Sequence, residues 1–294
     1  MFLGEIAALI TALLWSFSSI VFAEASIRIG SQQLNINRLL FAAFFLAVTL
    51  LIIGFPKTLT SGQIYYLMLS GFAGLVFGDG FLFNSFHTIG ARYSMLIMSF
   101  VPGISTVLSY IFLGEVLSVQ SIIGMLVTIA GIAIVALDKN TGNSKFRISR
   151  IGFIYGFFGA LGQAVGLLLA KNAFVLGDIN EFVATFVRIL SSVVILFPFM
   201  IIFRKYKNPV TLYRKDKPAL ALTIAGSIIG PFLGITFSLI AVSNTEIGIA
   251  STLMSTTPIL MLPMVRIYYK EKISVSGIIG TVAAVCGIAI LFLR

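Results

Sequence analysis

Asp79 is the residue whose chemistry and setting are most unusual, because it lies inside a long apolar stretch between Gly78 and Gly80. A buried carboxylate is costly unless it is paired, protonated or hydrated, and the two glycines let a neighbouring backbone or a ligand come close. Two interpretations remain open. Asp79 binds a cationic group of a ligand or exchanges a proton with it, or it accepts a structural hydrogen bond from a neighbouring serine or threonine.

Several other polar or aromatic residues lie within apolar runs of the chain. Trp15 and Gln163 occupy matched positions, and an aromatic ring opposite an amide suits a small zwitterionic or ring-bearing molecule, although such a tryptophan equally serves packing. Asp79 is the candidate for coupling. The predicted lining of a binding cavity comprises Trp15, Ser18, Ser19, Asp79, Phe83, Ser99, Gln163, Ser255 and Thr256.

The remaining charged groups favour structural roles. Arg38 and Arg188 lie one turn inside their helices, where long side chains can reach the membrane surface and anchor it. His87 follows Asp79 and Phe83 at intervals of four residues, at a helix end where a solvated role is expected. Glu115 stands between two helices, near the positive end of the second, and is predicted to cap it.

The composition places the chain in a membrane. It is 59% hydrophobic and only 10% charged, with a mean hydropathy of +1.07, whereas a soluble domain has about 25% charged residues. The apolar runs are continuous and about twenty residues long, as membrane-spanning helices require. The net charge of +10 comes from basic residues between these runs, which argues against a nucleic-acid groove. With one cysteine and one histidine, no metal or cofactor site is predicted.

The sequence contains an internal repeat. Residues 93–137 match residues 249–293 at an offset of 156, with Pro102 over Pro258 and Gly124 over Gly280. The pattern predicts an all-α membrane protein of ten transmembrane helices, arranged as two repeats of five at residues 1–138 and 151–294 with a linker at 139–150. An odd number of helices per repeat inverts the second copy and places a cavity between the halves.

The repeated residues resemble the EamA-type repeat of the drug/metabolite transporter superfamily. The resemblance is carried by Ser99-x-x-Pro102, Leu113-Gly114-Glu115, Gly124 and Gly131-Ile-Ala-Ile, and by a second copy with Ser255-x-x-Pro258 and Lys270-Glu271. The second copy lacks the glycine before its glutamate. Membership would imply a ten-helix transporter, while relatives differ widely in cargo, from amino acids to nucleotide sugars and drugs.

Together these patterns predict a secondary transporter that exports small metabolites such as amino acids by alternating access between inverted halves. A passive channel or facilitator and a nucleotide-sugar or drug carrier are the alternatives. A membrane enzyme is disfavoured because no catalytic groups converge, and no ATP-binding motif is present. The expected partners are a small-molecule substrate and the lipid bilayer, with no nucleic acid, and a homodimer remains open.

The expected location is the cell (plasma or inner) membrane, with both termini on the same side. Sixteen of the 20 lysines and arginines adjoin the odd-numbered connections between helices. The positive-inside rule then places those connections in the cytoplasm and both termini outside. The family resemblance implies the reverse orientation, with both termini in the cytosol.

Overall fold

A computed structural model describes residues 2–54, 59–137, 149–269 and 275–292, and its regular secondary structure in these ranges is entirely helical. The first part of the chain forms α1 (Leu3–Ile29), α2 (Ser31–Ile53), α3 (Ser61–Gly71), the π-helical segment π1 (Phe72–Gly78), α4 (Asp79–Met98), α5 (Val101–Leu113) and α6 (Val119–Leu137). The second part forms α7 (Arg150–Val175), α8 (Glu181–Ile202), α9 (Pro209–Lys215), α10 (Lys217–Ser227), the π-helical segment π2 (Ile228–Gly234), α11 (Ile235–Asn244), α12 (Ile247–Met254), α13 (Thr257–Tyr269) and α14 (Val275–Phe292).

These helices make a multi-pass membrane protein. Among the described residues, eight helices are long and apolar enough to span a bilayer, and two shorter apolar helices accompany them. Large apolar side chains point outward, including Leu51, Ile52 and Ile202, which are 75%, 79% and 73% exposed. Such a surface needs lipid as its solvent. The predicted all-α membrane class is confirmed, while the ten-helix count and the inverted repeat stay predictions.

The two π-helical segments lie 156 residues apart, at the offset of the sequence repeat. Each directly precedes the helix that carries a cavity residue at its start, Asp79 in α4 and Ile235 in α11. A π turn alters the regular i→i−4 bonding and can leave a carbonyl free for another donor. In π1 the carbonyl of Leu75 accepts a hydrogen bond from Asn35 Nδ2 at 3.1 Å.

Helix α4 contains a break at Gly90, whose φ of 77° is readily adopted by glycine. The chain is likewise interrupted between α11 and α12, where Thr245 is extended. The segment after Gly90 therefore corresponds to α12, and it begins the span that continues into α5.

The glycines of α7 bring this helix against π1 and α4. A Cβ atom at Gly162 would lie 2.7 Å from Gly78 Cα, and one at Gly166 would lie 3.0 Å from Gly74 Cα. The first distance is too short for a real side-chain carbon and the second is very tight, so the two backbones pack closely against each other. The glycine before Asp79 thus serves the contact with α7, while a Cβ at Gly80 would meet open space.

Helices α6 and α14 contact each other reciprocally. Gly124 packs against Gly287, and Gly131 packs against Gly280. At the repeat offset of 156, Gly124 is equivalent to Gly280 and Gly131 is equivalent to Gly287, so each pair is the repeat image of the other. Reciprocal contacts of this kind are the pattern expected where a two-fold axis relates two surfaces.

Candidate functional site

A cavity lies at the centre of the helix bundle and is lined by residues from both parts of the chain. It has about 80 Å³ of space for the centres of water-sized molecules. Seven of the nine predicted residues line it: Trp15, Ser18, Ser19, Asp79, Phe83, Gln163 and Ser255. The first three lie in the middle of α1, so the cavity is far from both ends of that helix.

Ser99 and Thr256 are the exceptions, since neither lines this cavity. The hydroxyl of Ser99 donates to the carbonyl of Leu96, and that of Thr256 donates to the carbonyl of Leu253 at 2.7 Å. Both residues stand where one helix ends and the next begins, just before a matched proline. Their hydroxyls satisfy backbone carbonyls at these interruptions, which is a structural role.

Asp79 pairs with an arginine. Its carboxylate accepts a hydrogen bond from Nη2 of Arg38, and both side chains are largely buried. The guanidinium group of Arg38 is also held by Asn35 Oδ1, which accepts from Nε at 3.1 Å and from Nη2 at 2.9 Å. Asn35 in turn donates to the carbonyl of Leu75. A chain of hydrogen bonds therefore fixes the buried charges to the π1 backbone.

Aromatic rings complete the environment of Arg38. The centre of its guanidinium group lies 4.6 Å from the ring centroid of Phe83 and 5.6 Å from that of Phe22. The two rings meet edge to face at 5.6 Å. Rings stacked on a guanidinium stabilise its charge while shielding it from water. The prediction that Arg38 reaches the membrane surface is wrong, because its partners lie inside the bundle.

Arg188, the repeat equivalent of Arg38, is also buried, with 1% of its surface exposed. The prediction that Arg188 reaches the membrane surface is therefore also wrong. Among the described residues, Nε and Nη1 have no hydrogen-bond partner. A Cβ added at Gly74 would lie 3.2 Å from Arg188 Nη2 and 3.6 Å from Gln163 Oε1, which places the guanidinium beside a cavity residue.

Sequence reasoning missed several cavity residues besides Arg38. One of them is Ser251, whose hydroxyl donates to the carbonyl of Ile247 at 2.7 Å, and most of the others are apolar or aromatic, including Phe22, Phe86, Met95 and Met98. No sequence signal separates them from ordinary packing residues in an apolar helix. Arg38 did carry a signal, since an arginine at the same place in both repeats is unusual within membrane spans.

Polar contacts join the two parts of the chain at both ends of α1. Near its start, Glu115 Oε2 accepts from the backbone N–H of Ile247, and Glu115 Oε1 lies 3.9 Å from Lys171 Nζ. Near its end, Arg28 pairs with Asp216 at 3.4 Å. Glu115 does cap a helix, but that helix is α12 rather than α6. The equivalent Glu271 lies outside the described residues, and His87 is exposed, as expected.

No group of three or more histidines, cysteines, aspartates or glutamates among the described residues could hold a metal ion. In the described part of the chain, the charged groups near the cavity are one carboxylate, of Asp79, and two guanidiniums, of Arg38 and Arg188. These groups can bind a polar small molecule through charge and hydrogen bonds, and the rings and methionines can contact its apolar part.

The family comparison decides the identity of the fold. The model of the EamA-like transporter family matches residues 2–137 and 150–293, which is nearly the whole chain. The chain belongs to the EamA-like transporter family. This family assignment confirms the resemblance seen in the repeated residues and indicates a transporter rather than an enzyme.

Two individual proteins resemble this EamA-like chain. One is a Bacillus subtilis (strain 168) protein described as the uncharacterized transporter YxxF, which is 27% identical over 186 residues. The match covers 63% of this chain and 58% of that relative, so it spans less than two thirds of the relative's length. A crystal structure with 17% sequence identity superposes with a TM-score of 0.77, covering 99% of this chain and 96% of the other. That likeness concerns the fold.

Proposed function

We propose that this EamA-like protein is a secondary transporter that exports small metabolites, such as amino acids or related compounds, across the cell membrane. The cavity carries this proposal, because it receives side chains from both parts of the chain and combines buried charges with aromatic rings. Sites of this composition bind small molecules and fix their orientation with a few polar groups. The proposed location is the plasma or inner membrane, with both termini on one side.

The proposed mechanism is alternating access between two inverted five-helix repeats at residues 1–138 and 151–294, joined by residues 139–150. The two separate family matches, the equivalent positions of π1 and π2 and the reciprocal contact of α6 with α14 support this division. Most of the proposed linker lies outside the described residues. Rocking of one repeat against the other would open the central cavity to each side in turn.

The polar contacts near the two ends of α1 support this mechanism. Glu115 connects to Lys171 and to α12 at one end, and Arg28 connects to Asp216 at the other. Each contact joins a residue of the first proposed repeat to a residue of the second. Opening the cavity at one end would require the contacts at that end to break while those at the other end hold.

Efflux from reconstituted vesicles tests the proposal. Vesicles containing the purified protein are loaded with a mixture of small metabolites, and mass spectrometry measures which compounds leave. We expect a subset to leave faster than from protein-free vesicles. Ser19→Trp, which fills the cavity, should abolish this difference. Phe17→Trp is the matched control, because Phe17 lies two residues away in α1 and is 46% exposed. Equal efflux with and without protein would contradict the proposal.

A further inference from the structure

The two equivalent arginines have unequal partners. Arg38 is bonded to Asp79 and Asn35, whereas Nε and Nη1 of Arg188 are buried without a hydrogen-bond partner among the described residues. The charges of Arg188 and Asp79 attract each other through space, but no described hydrogen bond joins them. A buried guanidinium group without bonded acceptors is costly, and native proteins rarely retain one without a function.

The cause of this inequality is visible in the repeat. Asp79 is the first residue after π1, and the residue at the same place after π2 is Ile235. Both line the cavity, but only one of them carries a charge. Among the described residues around the cavity, one carboxylate therefore serves two guanidinium groups, which leaves an excess of one positive charge in this set. A ligand with one negative charge would balance the set.

Arg188 is placed where such a ligand could reach it. Its Nη2 atom lies 3.2 Å from the position that a Cβ on Gly74 would occupy, and Gln163 Oε1 lies 3.6 Å from the same point. Gln163 lines the cavity, and Gly74 is adjacent to the lining residue Leu75. A side chain at Gly74 would crowd both the guanidinium and the amide, and glycine leaves a narrow gap between them. Movement of the Gln163 side chain would therefore join Arg188 to the cavity.

We propose that Arg188 binds a carboxylate group of the transported molecule and that Gln163 lies beside this anion subsite. The inference rests on the proposed function, in which the cavity binds the cargo, and it names the chemical class of that cargo. One edge of the guanidinium, formed by Nε and Nη2, can donate two parallel hydrogen bonds to a carboxylate; Nε has no partner among the described residues, and Nη2 lies beside Gly74. Asp79 remains the internal partner of Arg38 and leaves Arg188 free for the ligand.

The rest of the cavity favours a small monoanion with an apolar body. Its other walls include Trp15, Phe22, Phe83, Phe86, Met95 and Met98, which offer rings and thioethers rather than further cations. A phosphate carrying two negative charges would exceed the single positive charge in excess. A zwitterion would bring an ammonium group for which Asp79, already paired with Arg38, is not free. Within the proposed class of amino acids and related compounds, the cargo is therefore a related small monocarboxylate without an ammonium group rather than an amino acid itself.

Three probes of nearly equal shape test the inference: benzoate, benzamide and benzylamine. They share a phenyl ring, and the group attached to it is negatively charged in benzoate, neutral in benzamide and positively charged in benzylamine. Trp15 is the only tryptophan of the chain and lines the cavity, so its fluorescence reports binding at this site. We expect benzoate to bind at least about tenfold more tightly than benzamide, since a charged hydrogen bond exceeds a neutral one by roughly that factor.

Variants of Arg188 make the assignment specific. Arg188→Gln should remove the preference for benzoate over benzamide while leaving benzamide binding intact, and Arg188→Lys should retain part of the preference. Arg204→Gln, at an exposed connection, is the matched control and should change nothing. Because Arg188→Gln removes an unpartnered buried charge, the ligand-free variant should melt at or above the temperature of the parent. A purely structural arginine would give a lower melting temperature.

The inference is overturned if the parent binds benzamide or benzylamine as well as benzoate, if it binds none of the three, or if Arg188→Lys and Arg188→Gln keep the full benzoate preference. An equal response to chloride or inorganic phosphate would overturn the carboxylate class. None of these results tests the proposed transport role. The metabolite-efflux measurement tests that role and assumes nothing about the charge of the cargo. Binding of benzoate without any metabolite efflux would instead contradict transport while supporting the subsite.

Discussion

The carboxylate of Asp79 accepts a hydrogen bond from the guanidinium group of Arg38, and this pair joins α4 to α2 inside the membrane. The pair sits beside the rings of Phe22 and Phe83 and at the wall of the cavity. An ion pair in such a place is stable only while both members remain, because either charge alone would be left in an apolar environment.

Replacing Asp79 by asparagine should therefore destabilise the protein strongly. The substitution leaves Arg38 without its counter-ion, and breaking a buried pair costs roughly 3–5 kcal/mol. Thermal unfolding of the purified protein measures the loss, and Asp178→Asn, at an exposed position, is the control. The double variant Asp79→Asn/Arg38→Gln should recover part of the stability. If the loss in the double variant equals the sum of the losses in Asp79→Asn and Arg38→Gln, the pair has no coupling energy.

The contact of α7 with π1 predicts a second effect. Gly162→Ala places a carbon 2.7 Å from Gly78 Cα, so the helices must separate, at a cost of about 1–3 kcal/mol. Gly103→Ala is the matched control, because no atom lies within 4 Å of its added carbon. Unfolding curves should show a loss for Gly162→Ala and no loss for Gly103→Ala. Similar behaviour of the two variants would mean that the close backbone contact is unimportant.

Much of this site could be predicted from the sequence, because the repeat fixes which helices are equivalent. Trp15 and Gln163 were assigned to a common cavity from matched positions, and the structure brings them to one. The prediction depended on knowing which face of each helix turns inward. Polar residues within an apolar run indicate that face. Whether a substrate binds there stays a prediction.

The pairing of the charges could not be predicted from the sequence. The pairing of Arg38 with Asp79 depends on π1, because this segment shifts the residues after it relative to a regular helix. The same segment frees the Leu75 carbonyl to accept a hydrogen bond from Asn35. Sequence periodicity assumes a regular helix and misses this shift. Ser99 was misplaced for a related reason, since its hydroxyl bonds to the backbone at a helix interruption.

The contacts of Glu115 predict a change in access to the cavity. Glu115→Ala removes the acceptor of the Ile247 N–H and the carboxylate 3.9 Å from Lys171, so the end near the start of α1 should open more often. Ser18→Cys in a Cys286→Ala background provides a single thiol at the cavity wall. An impermeant thiol reagent should label it several-fold faster from that side.

Arg28→Gln should have the corresponding effect on labelling from the opposite side, because it breaks the contact with Asp216 near the other end of α1. A labelling rate that Glu115→Ala leaves unchanged on both sides would show that Glu115 does not hold this end closed.

Tyr213 predicts an effect of pH outside the spans. Its hydroxyl accepts from Asn37 Nδ2 at 2.8 Å and donates to Thr223 at 3.3 Å, and burial raises its pKa. Tyr213→Phe should cost about 1 kcal/mol. Because the pKa is higher in the folded protein, this contribution is complete below the unfolded pKa of about 10 and declines as the pH rises through the folded value. The difference between parent and variant should thus be constant from about pH 6 to 9. A difference that shrinks within that range would contradict the raised pKa.

The most direct test of the central claim, that the cavity carries cargo by alternating access, is exchange across reconstituted vesicles. A labelled metabolite identified in the efflux screen is placed outside vesicles that contain the same unlabelled compound. The account predicts saturable uptake of label that the internal compound accelerates, and loss of both properties in Ser19→Trp. Uptake that rises linearly with concentration and ignores the internal compound would indicate a passive channel and contradict the account.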